Sequence, residues 1–240
     1  MNLDAWLDYI ANQHQQTIDM GLSRTEEMVR RMELRQPARR VVTVAGTNGK
    51  GSTITALESL LVKAGLRVFS TLSPHVVRFN ERLRLNGMEL SDDAICAAFA
   101  EIEQARQLNP VVALTYFEFA ALAALWCARQ NRVDVVLLEI GLGGRLDAFN
   151  VIDADIAVIT SIGIDHEKFL GNTRDAIGAE KAGILRFGQR VVLGPDMPAS
   201  VLSRCRELNV QPLRAGDDFV VSEGSGPLLW SLTWGRERLV

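Results

Sequence analysis

A lysine stands between two glycines where a β-branched segment gives way to a helix. Residues 41–52 read VVTVAGTNGKGS, with Lys50 flanked by Gly49 and Gly51. Glycine backbones, including that of Gly46, can turn several N–H groups toward one anion, and a following helix adds the positive end of its dipole. Lys50 would then reach the terminal phosphates as a point charge. The segment therefore predicts a loop that binds the phosphates of a nucleotide.

The general phosphate-loop pattern G-x-x-x-x-G-K-[ST] is matched only in part. Val44 stands where the first glycine belongs, and Gly51 stands where the serine or threonine belongs. A glycine-rich turn that binds nothing is the alternative interpretation. The strand before Lys50 and the helix after it favour the phosphate loop.

Acidic and imidazole side chains follow two later strand-like segments. Glu139 ends the apolar run VDVVLLEI at 133–140 and precedes a glycine-rich stretch. A carboxylate in that place can face a magnesium ion bound to nucleotide phosphates, and an ordinary salt bridge is the alternative. Asp165 and His166 end TSIGIDH at 160–166. For His166, a ligand role and a structural role are both open.

Other polar residues have a structural interpretation beside the functional one. Lys181 lies in the helical segment AEKAGIL at 179–185, and periodicity alone favours a solvated helix lysine. Arg145 and Asp147, in the loop GGRLDAFN, offer hydrogen-bonding groups, and the segment TYFE at 115–118 adds an aromatic surface. Packing and helix capping would explain the same residues.

Hydrophobic runs and capping residues divide the chain into alternating strands and helices. The alternation predicts the α/β class, with a doubly wound, mostly parallel sheet whose ligand lies at the carboxyl ends of the strands. Alternating residues after Phe219 predict the start of antiparallel β structure. Strands are predicted at 40–45, 67–72, 133–140, 155–161 and 190–193, and helices from Leu3, from a Ser23–Glu26 capping box, before Gly65, after Ser91, over 115–130 and over 173–183.

Composition excludes several broad classes of protein. The 240 residues carry a net charge of −3, so no global basic field draws the chain to nucleic acid or to a membrane surface. The N-terminus lacks the pattern of a secretory signal, and no run reaches the length of a membrane span. Cys96, Cys127 and Cys205 are far apart in apolar patterns, which is typical of reduced core thiols. We therefore expect a cytoplasmic protein.

Several segments together resemble one family, the bifunctional dihydrofolate synthase and folylpolyglutamate synthase branch of the Mur ligase superfamily. The resemblance covers nearly the whole chain in order. It implies a Mur ligase central-domain fold, with a phosphate-loop domain over 1–218, a β extension of that domain over 219–240, and a C-terminal ligase domain that this chain lacks. The segments are HQQTIDMGLSR at 14–24, AGTNGKGS at 45–52, SPH at 73–75, LTYFE at 114–118, LEIGLGGRLDAFN at 138–150, TSIGIDH at 160–166 and EKAGI at 180–184.

What the resemblance implies is an ATP-dependent amide ligase. The carboxylate of dihydropteroate or of a reduced folate would be phosphorylated, and the amine of L-glutamate would then displace phosphate. ATP and Mg²⁺ are the implied cofactors, and nothing in the sequence demands more than a monomer. The isolated chain is expected to turn over little, because phosphoryl transfer depends on positioning by a complete site.

The resemblance also gives residues provisional roles. Lys181 would be carbamylated by CO₂ and become a metal ligand, which reverses the interpretation from periodicity. The implied ATP-binding residues are Gly46, Thr47, Asn48, Gly49, Lys50, Gly51 and Ser52; the metal ligands are Ser73, Glu139, His166 and Lys181; the catalytic residues are Lys50, Glu139, His166 and Lys181; and the pterin contacts are Ile18, Asp19, Met20, Thr115, Tyr116, Phe117, Glu118, Leu146, Asp147 and Ala148.

One residue departs from the family pattern, and two other functions stay open. Phe149 replaces the threonine usual in the LDATN form of its motif, which would alter the pocket locally. A non-catalytic nucleotide- or pterin-binding module is one alternative. Another Mur-type ligase, acting on a cell-wall precursor, is the second, although the GKGS spacing and the TYFE segment argue against it.

Overall fold

The computed structural model describes residues 1–13, 19–223, 230–234 and 237–239. Ile18, an expected pterin contact, lies outside the described residues. The helices are α1 (Leu3–Ala11), α2 (Ser23–Arg31), α3 (Lys50–Lys63), α4 (Asp92–Arg106), α5 (Tyr116–Gln130), α6 (Glu167–Leu170), α7 (Arg174–Lys181) and α8 (Ala199–Glu207), with 3₁₀ turns at Phe79–Arg82, Ala148–Val151 and Ala182–Ile184.

The described strands form two sheets. The larger sheet has the order β4-β3-β2-β5-β1-β6-β7-β8, and the smaller has the order β11-β10-β9. The strands are β1 (Arg40–Ala45), β2 (Val68–Thr71), β3 (Leu83–Leu85), β4 (Met88–Glu89), β5 (Val135–Glu139), β6 (Ile156–Ile159), β7 (Arg190–Leu193), β8 (Leu213–Arg214), β9 (Phe219–Glu223), β10 (Trp230–Trp234) and β11 (Glu237–Leu239).

Strand β1 is central and sets the position of the site. It pairs in parallel with β5 on one side and with β6 on the other, so the strand order reverses around it. Strands β3 and β4 are antiparallel at one edge, and the β9–β11 sheet is antiparallel throughout. The predicted mostly parallel sheet and the antiparallel C-terminal structure are therefore confirmed. Ligands of such sheets bind at the carboxyl edge beside the reversal.

Apolar residues cover both faces of the central strands. On one face, α5 is almost wholly buried and packs with α1, α2 and α4 over the sheet. On the other, Ile54 of α3 packs against Val44, Val68 and Leu137. Burial on both faces explains why these strands read as continuous apolar runs rather than as alternating ones.

Helix starts show where local sequence rules hold and where they fail. The Ser91 hydroxyl caps α4 by accepting from the N–H of Ala94, as predicted. The capping box predicted at Ser23–Glu26 is wrong, because Ser23 is already the first residue of α2 and the residue before it, Leu22, supplies no side-chain cap. A capping side chain must precede the first helical turn.

One buried carboxylate joins three elements near the site. Glu58, on α3, accepts hydrogen bonds from the Ser70 hydroxyl at 2.6 Å and from the Gly87 N–H at 3.1 Å. It also accepts from Nε of Arg84 at 3.2 Å. The helix that follows the phosphate loop is thereby fixed to β2 and to the β3–β4 hairpin.

Among the described helices, none combines the length and the apolar character that crossing a lipid bilayer requires.

The core makes a stability prediction at Phe99. Its ring is 0% exposed and lies 5.5 Å from the Phe79 ring and 6.0 Å from the Phe119 ring. Replacing Phe99 by Ala should lower the free energy of unfolding by about 3–5 kcal/mol, because the cavity cannot fill. Phe187, 75% exposed, is the matched control. Urea denaturation that showed equal losses for the two Phe→Ala variants would contradict the assigned core.

Candidate functional site

The turn after β1 can be built only with glycine at two positions. A Cβ atom on Gly46, where φ is +154°, would lie 1.9 Å from Oγ1 of Thr160. Gly49 has φ +84° and is the N-cap of α3, which begins at Lys50. The turn therefore presents the N-terminus of a 14-residue helix at the carboxyl edge of the sheet. This is the geometry of a phosphate-binding loop.

Residues directly after β6 hold this loop in place through hydrogen bonds. No sequence pattern had predicted this role for them. The Thr160 hydroxyl donates to the Asn48 carbonyl at 2.7 Å, and the Ser161 hydroxyl accepts from the Asn48 N–H at 3.0 Å. The Thr47 hydroxyl accepts from the Gly163 N–H at 2.9 Å. The signal available in the sequence was the pair of hydroxyl residues following the strand.

Two lysine side chains meet at one carbonyl group. Nζ of Lys50 lies 2.9 Å from the Gly46 oxygen, and Nζ of Lys181 lies 3.0 Å from it. Burial, and then the charge of Lys50, lower the pKa of Lys181 to about 8. Lys181 is only 6% exposed, so the solvated-lysine interpretation from periodicity is wrong. Helix periodicity could not reveal that α7 points this side chain at a loop 135 residues away.

Glu139 lies beside the first turn of α3. It is 4% exposed, and its Oε2 accepts from the Ser73 N–H at 2.8 Å. A Cβ atom on Gly51 would lie 3.8 Å from both carboxylate oxygens. Burial raises the pKa of Glu139, although the Ser73 N–H and the charges of Lys50 and Arg82 lower it. In the described part of the chain no basic side chain forms a salt bridge with Glu139, which disfavours the salt-bridge alternative.

The expected metal ligands are arranged only in part. Ser73 and Glu139 are adjacent and offer hard oxygen donors, which fit Mg²⁺. His166 is 55% exposed and Lys181 contacts the phosphate loop. Over the described ranges, no three His, Cys, Asp or Glu side chains are grouped as a metal site. The four-residue ligand set stays a prediction.

A cavity of about 340 Å³ opens at the same edge of the sheet. It collects most of the residues expected to contact a pterin, together with two of the expected metal ligands. Tyr116 is not among its lining residues, since its ring packs edge-on against Phe79 at 6.1 Å. The cavity is lined by Asp19, Met20, Gly21, Ser73, Pro74, Arg82, Thr115, Phe117, Glu118, Gly141, Leu142, Leu146, Asp147, Ala148 and His166.

Aromatic rings form the apolar side of the cavity. A Cβ atom on Gly141 would lie 2.6 Å from the Phe117 ring, so glycine is needed for the ring to lie there. Phe149, the residue that departs from the family pattern, packs edge-on against Phe117 at 5.9 Å. It is buried beneath the cavity and supports Phe117 rather than lining the opening.

Arg24 organises the polar side of the cavity, and the sequence analysis missed it. Its Nη1 lies 2.7 Å from Oδ2 of Asp19, and its Nε lies 3.0 Å from Oε1 of Glu118. Glu118 also accepts from the Thr115 N–H at 2.7 Å and so completes the cap of α5. The capping interpretation of the TYFE segment is confirmed, and the same acid faces the cavity. Glu118 is 94 residues from Arg24, so this part of the arrangement gave no local signal in the sequence.

Asp147 shapes the loop that borders the cavity. Its carboxylate accepts from the N–H groups of Gly141, Leu142 and Phe149 at 2.9, 3.0 and 3.0 Å. Burial raises the pKa of Asp147 to about 6, although these donors act in the opposite direction. Arg145, in the same loop, pairs with Glu180 at 2.8 Å. Asp147 therefore closes the loop onto the end of β5.

The family model of the Mur ligase middle domain matches residues 44–210. A curated relative, dihydrofolate synthase/folylpolyglutamate synthase of Escherichia coli (strain K12), is 49% identical over 218 residues, which are 90% of this chain and 51% of that protein. The Haemophilus influenzae protein of the same name is 45% identical over 229 residues, 95% of this chain and 52% of that protein. The chain thus spans about half the length of the curated relatives it matches.

Solved structures agree with these matches. E. coli FolC in complex with DHPP and ADP superposes with a TM-score of 0.94 at 45% identity, covering 100% of this chain and 57% of that one. The Yersinia pestis bifunctional folylpolyglutamate synthase/dihydrofolate synthase complexed with AMPPNP and Mn ion gives a TM-score of 0.92 at 45% identity, with coverages of 100% and 57%. The fold described above is therefore that of these proteins.

The contact between Thr160 and the phosphate loop predicts an effect on nucleotide affinity. Replacing Thr160 by Val removes the hydroxyl that bonds the Asn48 carbonyl. We expect the Kd for ADP to rise about fivefold, since one such hydrogen bond contributes about 1 kcal/mol. The control is Thr43→Val on β1, where the buried hydroxyl has no partner in the described residues. Calorimetric titration that showed no difference between the two variants would refute the role of Thr160.

Proposed function

The chain belongs to the Mur ligase family, and from this premise we propose that it is the nucleotide- and pterin-binding half of an ATP-dependent amide ligase. The ligase adds L-glutamate to dihydropteroate and to reduced folates. The observation that carries the proposal is the juxtaposition of a glycine-rich phosphate loop, the buried Glu139 and an apolar cavity at one sheet edge. The names of the relatives and the DHPP and ADP of the E. coli complex support it.

The reaction has two steps. A substrate carboxylate oxygen attacks the γ-phosphorus of ATP, forming an acyl phosphate and releasing ADP. The amine of L-glutamate then attacks the acyl carbon, the amide C–N bond forms, the nitrogen releases one proton to solvent, and phosphate leaves with the electrons of the broken C–O bond. Bound ATP supplies the phosphoryl group, and Mg²⁺ offsets its charge.

The chain's own contribution to the first step is electrostatic and positional. The phosphates would lie at the loop formed by Gly46, Thr47, Asn48 and Gly49, with Gly51 and Ser52 in the first turn of α3. The N–H groups of Thr47 and Asn48 already donate to Ser161, which fixes the shape of the loop. Lys50 exchanges its contact with the Gly46 carbonyl for the γ-phosphoryl group as negative charge develops there. The hydrogen bonds of Thr160 and Ser161 with Asn48 hold the loop backbone in place, so only the Lys50 side chain changes its contact.

The metal ligands that we propose follow the same edge. Glu139 and Ser73 hold one Mg²⁺, and their contact through the Ser73 N–H keeps the carboxylate oriented toward α3. His166 contributes to a second metal site, together with carbamylated Lys181. Carbamylation converts the cation into a carboxylate-like ligand and removes the repulsion between Lys181 and Lys50.

The cavity supplies the pterin site in this proposal. Phe117, Met20, Leu146 and Ala148 offer apolar and aromatic surface, which suits a flat heterocycle. Asp19, Thr115, Glu118 and Asp147 present polar groups at the same opening. Donors of the pterin ring would find carboxylate acceptors there, held in position by Arg24.

The proposed function is tested by incorporation of labelled L-glutamate that depends on both ATP and dihydropteroate. We compare the 240-residue chain with the protein read to its natural stop codon, since the relatives are about twice as long. Activity in the longer protein, with little in the chain alone, is expected. A Lys50→Ala variant of the longer protein is the inactive control.

Two outcomes would replace the proposal. Binding of ADP and dihydropteroate without turnover in either protein would favour a non-catalytic module. Turnover with a UDP-linked cell-wall precursor instead of dihydropteroate would favour another Mur-type ligase.

The lowered pKa of Lys181 leads to a prediction about the carbamylation of this residue. Carbamylation needs the neutral amine, whose nitrogen bonds to the carbon of CO₂ and then loses a proton. With a pKa of about 8, about a tenth of Lys181 is neutral at pH 7, compared with about 0.03% of an ordinary lysine. The neutral, reactive fraction of Lys181 rises with pH. Because the pKa is lowered, this fraction passes one half near pH 8.

The modification can be measured by ¹³C NMR with labelled bicarbonate and Mg²⁺. A carbamate signal should grow between pH 7 and pH 8.5 at constant dissolved CO₂, and Lys181→Arg should abolish it. Lys63→Arg, which removes an exposed lysine at the end of α3, should leave it intact. A signal that persisted in Lys181→Arg would exclude Lys181 as the modified residue.

A further inference from the structure

Arg82 is a cation of the cavity wall that no role described so far uses. It ends the 3₁₀ turn Phe79–Arg82 and lines the cavity together with Ser73, Pro74 and Phe117. Its side chain is partly buried. It therefore lies between the aromatic side of the cavity and the Ser73–Glu139 corner at the phosphate loop.

The side chain is held by neutral groups rather than by an acid. Nε donates to Nδ1 of His75 at 2.8 Å, and the guanidinium carbon lies 5.9 Å from the centroid of the Phe79 ring. In this contact Nδ1 of His75 is the acceptor, so the imidazole offers no negative charge to the guanidinium. One nitrogen is thus fixed, and the fork of Nη1 and Nη2 makes no hydrogen bond within the described residues.

The absence of an acidic partner distinguishes Arg82 from other partly buried arginines. Arg24 pairs with Glu118, Arg84 with Glu58, and Arg106 with Glu103. Over the described part of the chain, no carboxylate lies within salt-bridge distance of Arg82, and the charges of Glu139 and Glu81 act on it only from further away. A partly desolvated guanidinium with no carboxylate in direct contact is costly, and a ligand that supplies an anion at that distance removes the cost.

We propose that Arg82 binds the substrate carboxylate that is to be phosphorylated, through its free guanidinium fork. Arginine matches a carboxylate in a planar, paired geometry, which fixes orientation as well as position. The inference rests on the proposed function, because it requires an aromatic acid in the cavity. Arg82 then holds the acid at the opening toward Ser73 and Glu139, where the phosphoryl group arrives.

Phosphate is the less suitable occupant of this fork. Lys50 and Lys181 already converge on the Gly46 carbonyl at the phosphate loop. Arg82 instead shares a wall with Phe117, which would contact the ring system of the same acid. The position favours the end of the cavity ligand over the nucleotide.

The test compares dihydropteroate with its carboxamide, which keeps the ring system and lacks the negative charge. Wild-type protein should bind the acid more tightly than the amide. Arg82→Met should weaken acid binding on the order of 10- to 100-fold, the effect of losing a charge-assisted pair, and should change amide binding less than threefold. The measured quantity is the ratio of the two Kd values, which general loosening of the cavity would leave unchanged.

A matched control lies in the same segment. Arg78 is exposed, pairs with Glu89 at 2.7 Å and does not line the cavity, so Arg78→Met should keep the wild-type ratio. Arg82→Lys keeps the charge without the fork and should give an intermediate ratio, which also serves if Arg82→Met does not fold. In the full-length ligase, Arg82→Lys should lower kcat as well as raise KM, because the acid is misoriented.

The outcomes separate the two proposals. Equal losses for acid and amide, or an unchanged ratio in both Arg82 variants, would overturn the role of Arg82 and leave the proposed function standing. Wild-type protein that bound neither ligand would overturn the proposed function itself, and the role of Arg82 with it.

Discussion

The carbonyl oxygen of Gly46 accepts hydrogen bonds from two ammonium groups, and the rest of the site is arranged around that contact. Lys50 comes from the loop itself and Lys181 from α7, so one atom ties together elements that are far apart in sequence. Two cations beside one carbonyl repel each other, and the repulsion is relieved when an anion arrives or when one amine loses its charge. This arrangement of charges is therefore prepared for a polyanion. The arrangement also requires Gly46, because the Cβ atom of any other residue would displace the Thr160 side chain that bonds the loop.

Charge is distributed unevenly across the neighbouring cavity. Arg24 neutralises Asp19 and Glu118 on one wall, where the acids are fixed as hydrogen-bond acceptors. Arg82, which also lines the cavity, is held instead by the His75 imidazole and the Phe79 ring. A ligand with polar donors at one end and a negative charge at the other matches this polarity. In the proposed function, this polarity would direct the negative end of the ligand toward the phosphate loop.

Patterns local in sequence predicted the fold and the strand-end acid. Val41–Ala45 and Val135–Glu139 read as buried strands because both faces are covered, and Glu139 was placed correctly by its position after such a run. The residues that were missed act through tertiary contacts. Arg24, Arg82 and Thr160 look like ordinary surface or loop residues until the chain folds, and Lys181 was misjudged by periodicity for the same reason. The predicted Ser23 capping box failed by one residue, since the position of a helix start depends on packing as well as on local pattern.

Gly51 leaves the first turn of α3 without the hydroxyl that the general phosphate-loop pattern places there. The Glu139 carboxylate lies beside Gly51, 3.8 Å from where a Cβ atom would be, and the N–H of Ser73, after β2, donates to the same carboxylate. In the proposed metal site, the hydroxyl that one short motif usually supplies would come instead from Ser73, in a second loop of the sheet. A search for the standard phosphate-loop motif alone does not detect such a chain. Detection requires a pattern that includes both the loop after β1 and the loop after β2. Exchange of phosphate-loop segments with ordinary P-loop proteins should accordingly fail unless the loop after β2 is exchanged too.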